Sequence, residues 1–80
     1  MALTKKEKKG IIEGVLQELV EYPEEASGDV AFNAIESAGV KRPEEDEEAQ
    51  WEVEDFASDV VAEILNAAEE RGKKLLKKLG

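Results

Sequence analysis

The sequence predicts an all-α protein, a three-helix up-down-up bundle with a long C-terminal helix. Apolar residues recur at three- and four-residue steps in three separate segments, which is the pattern of one helix face. Pro23, Gly39 and Pro43 separate these segments, and each is typical of a helix end or start. No strand is predicted, because no run outside residues 51–54 alternates with period two. We expect one domain, 1–80, with helices over 4–21, 28–38 and 43–79.

The first segment opens with a capping box. Thr4 can accept from the backbone N–H of Glu7, and the Glu7 carboxylate can reach back to the N–H of Thr4. Gly10 and Gly14 lie four residues apart on one side of the helix and are poor helix formers. They indicate either close approach of a neighbouring helix or local weakness without a role. The helix should end near Glu21, because the proline two residues later disfavours helical geometry before it.

The second segment is short. Ser27 is a good N-cap residue, and Gly39 is typical of the left-handed position that follows a helix. Val40 is placed for the hydrophobic contact that often accompanies such a glycine. The segment therefore predicts a helix over 28–38.

The third segment combines acidic residues at its start with a wide apolar face. Pro43 suits the first helical turn, and eight of the residues 43–55 are acidic, which complements the helix dipole. The apolar face spans roughly 180°, whereas packing against one neighbour requires about 100°. This width predicts contact with two helices at once. A helix over 43–79 is long for such a small protein, and Ser58 and Gly72 are the expected places for a bend or a break.

Charge segregation favours the up-down-up order. Four lysines precede residue 10 and four follow residue 72, whereas residues 11–72 carry a net charge of −16. If the first and third helices run parallel, the N-terminal lysines lie beside Glu44–Glu48. The C-terminal lysines then lie near the acids at the end of the first helix and in the connection to the second, which are Glu18, Glu21, Glu24, Glu25 and Asp29. An antiparallel arrangement would place lysines beside lysines. Exposed pairs are worth about 0–1 kcal/mol each, so they select topology more than they create stability.

Composition excludes several kinds of chemistry. The chain has no cysteine and no histidine, which removes disulfides, the common ligands of zinc, copper and haem, and histidine-assisted nucleophilic catalysis. We nominate no catalytic, metal-binding or cofactor-binding residue and expect no enzymatic activity. The net charge of −9 disfavours nucleic acid and anionic membranes. The sequence shows no signal peptide or membrane span, and we expect a soluble, cytoplasmic protein.

Three charged motifs have a functional and a structural interpretation. The acidic run Glu44–Glu48 could bind Ca²⁺ or Mg²⁺ weakly, but it lacks the spacing and the central glycine of a calcium loop, and a solvated helix start is favoured. Residues 73–79 alternate lysine and leucine pairs like a membrane-surface segment, yet lysines also complement a helix C-terminus. Residues 38–43 are similar to the turn of a helix-turn-helix motif, but the helix that follows has the wrong charge for phosphate contact.

Trp51, Leu65 and Leu76 are the candidate partner-binding residues. On a helical wheel they lie on the outer side of the apolar arc, and Trp51 falls about 130° from the arc centre. Tryptophan is enriched at binding hot spots. The alternative is that Trp51 covers the end of the bundle near Leu3 or Val40. Homodimerisation through the wide face of the long helix is a related possibility.

The overall style resembles that of computationally designed or redesigned helical proteins. The resemblance rests on the Thr4–Glu7 capping box, the Gly39 stop and Pro43 start, the Glu- and Lys-rich surface and the filling sequence Ala67–Arg71. It implies a structural or designed domain without natural enzymatic activity. The other hypothesis is a small acidic protein-binding module that uses the helix face around Trp51.

Overall fold

The computed structural model describes residues 3–80 and confirms the predicted fold class. Three helices form a bundle: α1 spans Lys5–Glu21, α2 spans Ser27–Ala38 and α3 spans Glu47–Leu79. The described residues contain no strand. The molecule measures 54 × 21 × 19 Å along its principal axes, and its length follows α3, whose 33 residues alone extend about 50 Å.

The close contacts between helices establish the up-down-up order. A Cβ built at Gly10 would lie 3.1 Å from the Cβ of Ala38, and one built at Gly14 would lie 3.0 Å from the Cα of Ala34. The numbers rise in α1 as they fall in α2, so these helices run antiparallel. The start of α2, at Ser27 and Gly28, meets α3 near Leu65, whereas its end meets α3 near Val53. Helices α1 and α3 therefore run parallel, as charge segregation predicted.

The helix caps agree with the sequence at two of the predicted positions. The backbone N–H of Thr4 donates to Oε1 of Glu7 at 3.0 Å, and the N–H of Glu7 donates to Oγ1 of Thr4 at 3.1 Å, which completes the capping box. Gly39 adopts a left-handed φ of 69°. The N–H of Val40 then donates to the carbonyl of Ile35 at 3.4 Å, and the Val40 side chain is buried.

The predicted cap of α2 was wrong by one residue. A turn closes when the N–H of Glu25 donates to the carbonyl of Tyr22 at 3.0 Å. This turn places Ala26 in an extended conformation, so Ala26 occupies the N-cap and Ser27 is already helical. Alanine offers no side-chain acceptor, and the first turn of α2 has no side-chain cap.

The predicted start of α3 at Pro43 was also wrong. Pro43 begins a turn that closes with a 3.0 Å bond from the N–H of Asp46 to the Pro43 carbonyl. The Asp46 carboxylate then accepts from the N–H of Ala49 at 3.1 Å and caps the helix. An aspartate with this geometry starts a helix more effectively than a proline three residues earlier. Beyond it, α3 continues without a break through Ser58 and Gly72 to Leu79.

The core lies between the N-terminal half of α3 and the two shorter helices. Its buried side chains are aliphatic and small, and they belong to a single cluster: Ile11, Val15, Val30, Ala31, Ala34, Val40, Val53, Ala57, Val60 and Val61. Both α1 and α2 contact α3, as its wide apolar face predicted. Gly10 and Gly14 let α1 approach α2 closely, which is the first of the two interpretations given for them.

The ion pairs differ from the predicted ones. Within residues 3–80, Arg42 pairs with Glu7 and Lys73 pairs with Glu69, and the N-terminal lysines form no ion pair with Glu44–Glu48. Arg42 joins the loop before α3 to the start of α1. Its two terminal nitrogens donate to the two carboxylate oxygens of Glu7 at 2.9 and 3.1 Å, with side chains only 12% and 24% exposed. The hydrogen bond from Arg42, together with the one from the Thr4 backbone, lowers the pKa of Glu7 to about 2.

Replacing Glu7 by glutamine will remove a pH-dependent part of the stability. Glutamine retains the capping box but loses the charge that pairs with Arg42. A carboxyl whose pKa is lowered by folding stabilises the protein above about pH 4.5, and this contribution disappears as the pH falls towards 2. E7Q should therefore be less stable than wild type at pH 7, and the difference should vanish near pH 2. Urea unfolding across this range measures it, with the exposed-site variant Glu13→Gln as control.

Candidate interaction surface

The C-terminal half of α3 extends beyond the bundle. Val61 is the last buried residue of α3, and Ile64 is the last that packs partly against the core. Residues 65–79, which we call the overhang, are exposed at every position except Gly72. A Cβ built at Gly72 would meet nothing within 4 Å. The overhang comprises 15 residues and about 22 Å of helix that no other part of residues 3–80 covers.

One side of the overhang is apolar. The leucine stripe consists of six residues: Leu65, Ala68, Gly72, Leu75, Leu76 and Leu79. At 100° per residue, these positions fall within an arc of about 100°. Lysines and glutamates fill the opposite side. A helix with such a stripe normally buries it against another element, and here the leucines lie in solvent.

The leucine stripe continues the side of α3 that α2 covers. Ser27 and Gly28, at the start of α2, border a surface depression of about 270 Å³ together with Val61 and Leu65 of α3. The stripe begins at this depression, because the N-terminus of α2 lies there and no residue of α2 covers α3 beyond it. A helix that bound the stripe would therefore occupy the position of an extension of α2.

All three predicted binding residues are exposed in the structure, but they do not form one continuous surface. Trp51 is 68% exposed, Leu65 43% and Leu76 71%, so Trp51 does not cover the end of the bundle. All three lie on the same side of α3. Trp51, however, is 14 positions before Leu65, which corresponds to about 21 Å along the helix. Leu65 and Leu76 belong to the leucine stripe, whereas Trp51 stands alone at the other end.

The overhang and the bundle carry opposite charges. Residues 65–80 contain five basic and two acidic side chains, although the whole chain has a net charge of −9. The sequence predicted that the C-terminal lysines would lie near the acids of the α1–α2 connection. They do not, because α3 extends past that connection before the lysines begin. Those acids crowd together instead. Interaction with Glu18, partial burial and the charge of Asp29 raise the pKa of Glu25, and Asn33 donates a hydrogen bond to it.

A second feature, a shallow groove of about 690 Å³, separates the end of α2 from the start of α3. Its apolar lining includes Phe32, Ile35, Val40 and Val53, and Trp51 is not part of it. The sequence analysis did not identify this groove. A signal that could have found it is Phe32, a large apolar residue at the edge of the apolar face of the second helix, which is exposed in the structure.

The described residues offer no other recognisable site. Within residues 3–80, no three carboxylates converge to hold a metal ion. In the same part of the chain, no helix has an apolar stretch long enough to cross a membrane. The comparisons found no family model, no curated protein and no solved structure that matches this chain.

Proposed function

We propose that the chain is a non-catalytic interaction domain of designed type that binds an α-helix of a protein through the leucine stripe. The observation that carries this proposal is the overhang, whose leucines have no partner within residues 3–80. An isolated helix of 15 residues is only marginally stable in water, and packing of an apolar face is what normally stabilises such a segment. A bound helix would supply that packing.

The spacing of the stripe specifies the kind of partner. Leu65, Ala68, Gly72, Leu75 and Leu79 follow one another at steps of three, four, three and four residues. This is the a and d spacing of a coiled-coil seam, which accepts a second amphipathic helix with the same repeat. The basic residues of the overhang favour a partner that presents acidic residues to them.

A synthetic peptide can test this proposal directly. The probe is a fluorescein-labelled amphipathic helix of three heptads, with leucine at a and d and glutamate at e and g. We expect fluorescence anisotropy to detect saturable binding to the wild-type protein. Replacing Leu65 or Leu75 by glutamate should weaken binding by about tenfold or more, since each change places a charge in the seam.

Trp51→Ala is the matched control, because Trp51 is also a large exposed apolar residue of the same helix but lies outside the stripe. If Trp51→Ala lost peptide binding and Leu65→Glu retained it, the binding site would be the surface around Trp51 and not the leucine stripe. Absence of binding to a wild-type chain that is monomeric would contradict the interaction function.

A purely structural, designed domain is the second candidate function. Its support comes from the helix ends, where Thr4, Gly39 and Asp46 form the caps that design practice recommends. This candidate expects a monomer that does not bind the peptide and has no interaction through its leucines. The same titration therefore separates the two candidates.

A further inference from the structure

We infer that the partner of the overhang is a second copy of this chain, which binds antiparallel to it and forms a symmetric dimer. This inference rests on the proposed function, because it identifies the helix that occupies the leucine stripe. It commits to one occupant for three reasons: the pattern of large and small residues, the length of the uncovered helix and the distribution of charge.

The stripe is self-complementary in the antiparallel orientation. In such a pair, residues at a positions pack against residues at d positions of the other helix. With a two-fold axis beside Glu70, Leu65 of one copy packs against Leu75 of the other, and Ala68 packs against Gly72. The small residues lie at the centre and the leucines on both sides. A Cβ built at Gly72 would meet nothing within 4 Å beyond its own helix, so the central layers leave room for close approach of the two helices.

The length of the overhang fits the same register. With the axis beside Glu70, residues 65–75 of the two copies pair with each other, and residues 76–79 of each copy lie beside residues 61–64 of the other, so the two bundles lie at opposite ends. Leu79 of one copy then reaches the level of Val61 in the other. The depression beside Ser27 and Gly28 lies at that level and can receive the leucine side chain.

Charge favours a second copy in the antiparallel orientation. Lys77 and Lys78 of one copy would lie at the level of Glu63 and Ala62 of the other, close to the acidic end of its bundle. Within the monomer, Glu18 and Asp29 each raise the pKa of Glu25 at that end, because like charges repel. Lysines from a second copy would reduce this repulsion. A parallel pair would instead place the four C-terminal lysines of each chain beside those of the other.

Sedimentation equilibrium of the full chain tests the dimer. We expect a reversible monomer–dimer equilibrium at concentrations up to about 100 µM, with helix content by circular dichroism rising as the dimer forms. Leu65→Glu and Leu75→Glu should each raise the dissociation constant by about tenfold or more, whereas Trp51→Ala should leave it unchanged. Leu75 lies far from the core, so its replacement keeps the test valid if Leu65→Glu perturbs the bundle.

The orientation can be read from disulfides, because the chain contains no cysteine of its own. Mixing Leu65→Cys with Leu75→Cys under mild oxidation should give the mixed disulfide in preference to either homodimer. Leu79→Cys should give little homodimer, because the two ends lie apart. Preferential Leu79→Cys homodimers would overturn the antiparallel arrangement.

The outcomes for the inference and for the proposed function are distinguishable. A wild-type chain that remains monomeric at about 100 µM but binds the acidic peptide through Leu65 and Leu75 would overturn the dimer and leave the interaction function in place. A monomer that also fails to bind the peptide would overturn both. A dimer that is insensitive to both glutamate substitutions would overturn the inference, because the copies would then associate elsewhere.

Discussion

Replacing Ile11 by alanine will lower the free energy of unfolding by about 2–5 kcal/mol. Ile11 is 0% exposed, and its side chain belongs to the cluster that joins all three helices. The change removes three heavy atoms from a core made mostly of valine and alanine. These small residues cannot extend to fill the cavity, so both the burial of apolar surface and the packing are lost.

The neighbouring residue provides a matched control. Ile12 has the same side chain in the same helix, but it is 39% exposed and lies outside the core. Ile12→Ala should therefore cost no more than about 1 kcal/mol. Urea unfolding at one fixed protein concentration measures both variants, since self-association would make stability depend on concentration. Equal losses for Ile11→Ala and Ile12→Ala would show that α1 is packed with a different face inward.

Ile11→Ala also measures how much stability this small core provides. Domains of this size have a total free energy of unfolding near the lower end of about 5–15 kcal/mol. A loss of several kcal/mol would leave a substantial fraction of Ile11→Ala molecules unfolded at room temperature. We therefore expect its circular dichroism signal to be reduced even without urea.

The sequence predicted the fold well because the fold depends on local signals and on periodicity. The Thr4–Glu7 capping box and the Gly39 cap involve residues within four positions of each other, so their geometry follows from the residue types. The caps require no knowledge of which side chains meet across the bundle. The parallel arrangement of α1 and α3 was predicted from the separation of charge along the chain, but the ion pairs expected to select it are absent from residues 3–80.

The errors arose where a residue competes with its neighbours for the same role. Pro43 and Asp46 can both begin a helix, and the outcome depends on whether the Asp46 carboxylate reaches the N–H of Ala49. Ser27 lost the cap position because the turn before it ends at Glu25 and leaves Ala26 extended. Single-residue differences of this kind depend on the path of the loop, which periodicity does not encode.

The candidate site was predicted in part. Leu65 and Leu76 lie on the outer side of the apolar arc, and the sequence identified them as candidate partner-binding residues. It could not determine where coverage ends. That point depends on the lengths of α1 and α2 and on their alignment with α3, which places Ser27 beside Leu65. The distance of Trp51 from the leucines, by contrast, follows from its 14-residue separation from Leu65 within one helix.

Replacing Gly14 by valine will destabilise the bundle by about 3 kcal/mol, at the upper end of the usual cost of overpacking. A Cβ at Gly14 would lie 3.0 Å from the Cα of Ala34 and 3.2 Å from its carbonyl oxygen. Both are backbone atoms of α2, so α1 and α2 must move apart to admit the new side chain. Their separation would also loosen the contacts of Val15 and Val30 in the core.

Glycine-to-alanine variants test this explanation with the least change in volume. Alanine favours a helix over glycine by about 1 kcal/mol. A Cβ added at Gly28 would meet nothing within 4 Å, so Gly28→Ala should be neutral or stabilising. Gly14→Ala gains the same helix propensity but must displace α2, and its net effect should be a loss of up to about 2 kcal/mol. Urea unfolding measures the free energy of unfolding of both variants, and Gly14→Ala should be the less stable of the two. If Gly14→Ala were as stable as Gly28→Ala, helices α1 and α2 would not be held together by the close approach that this glycine permits.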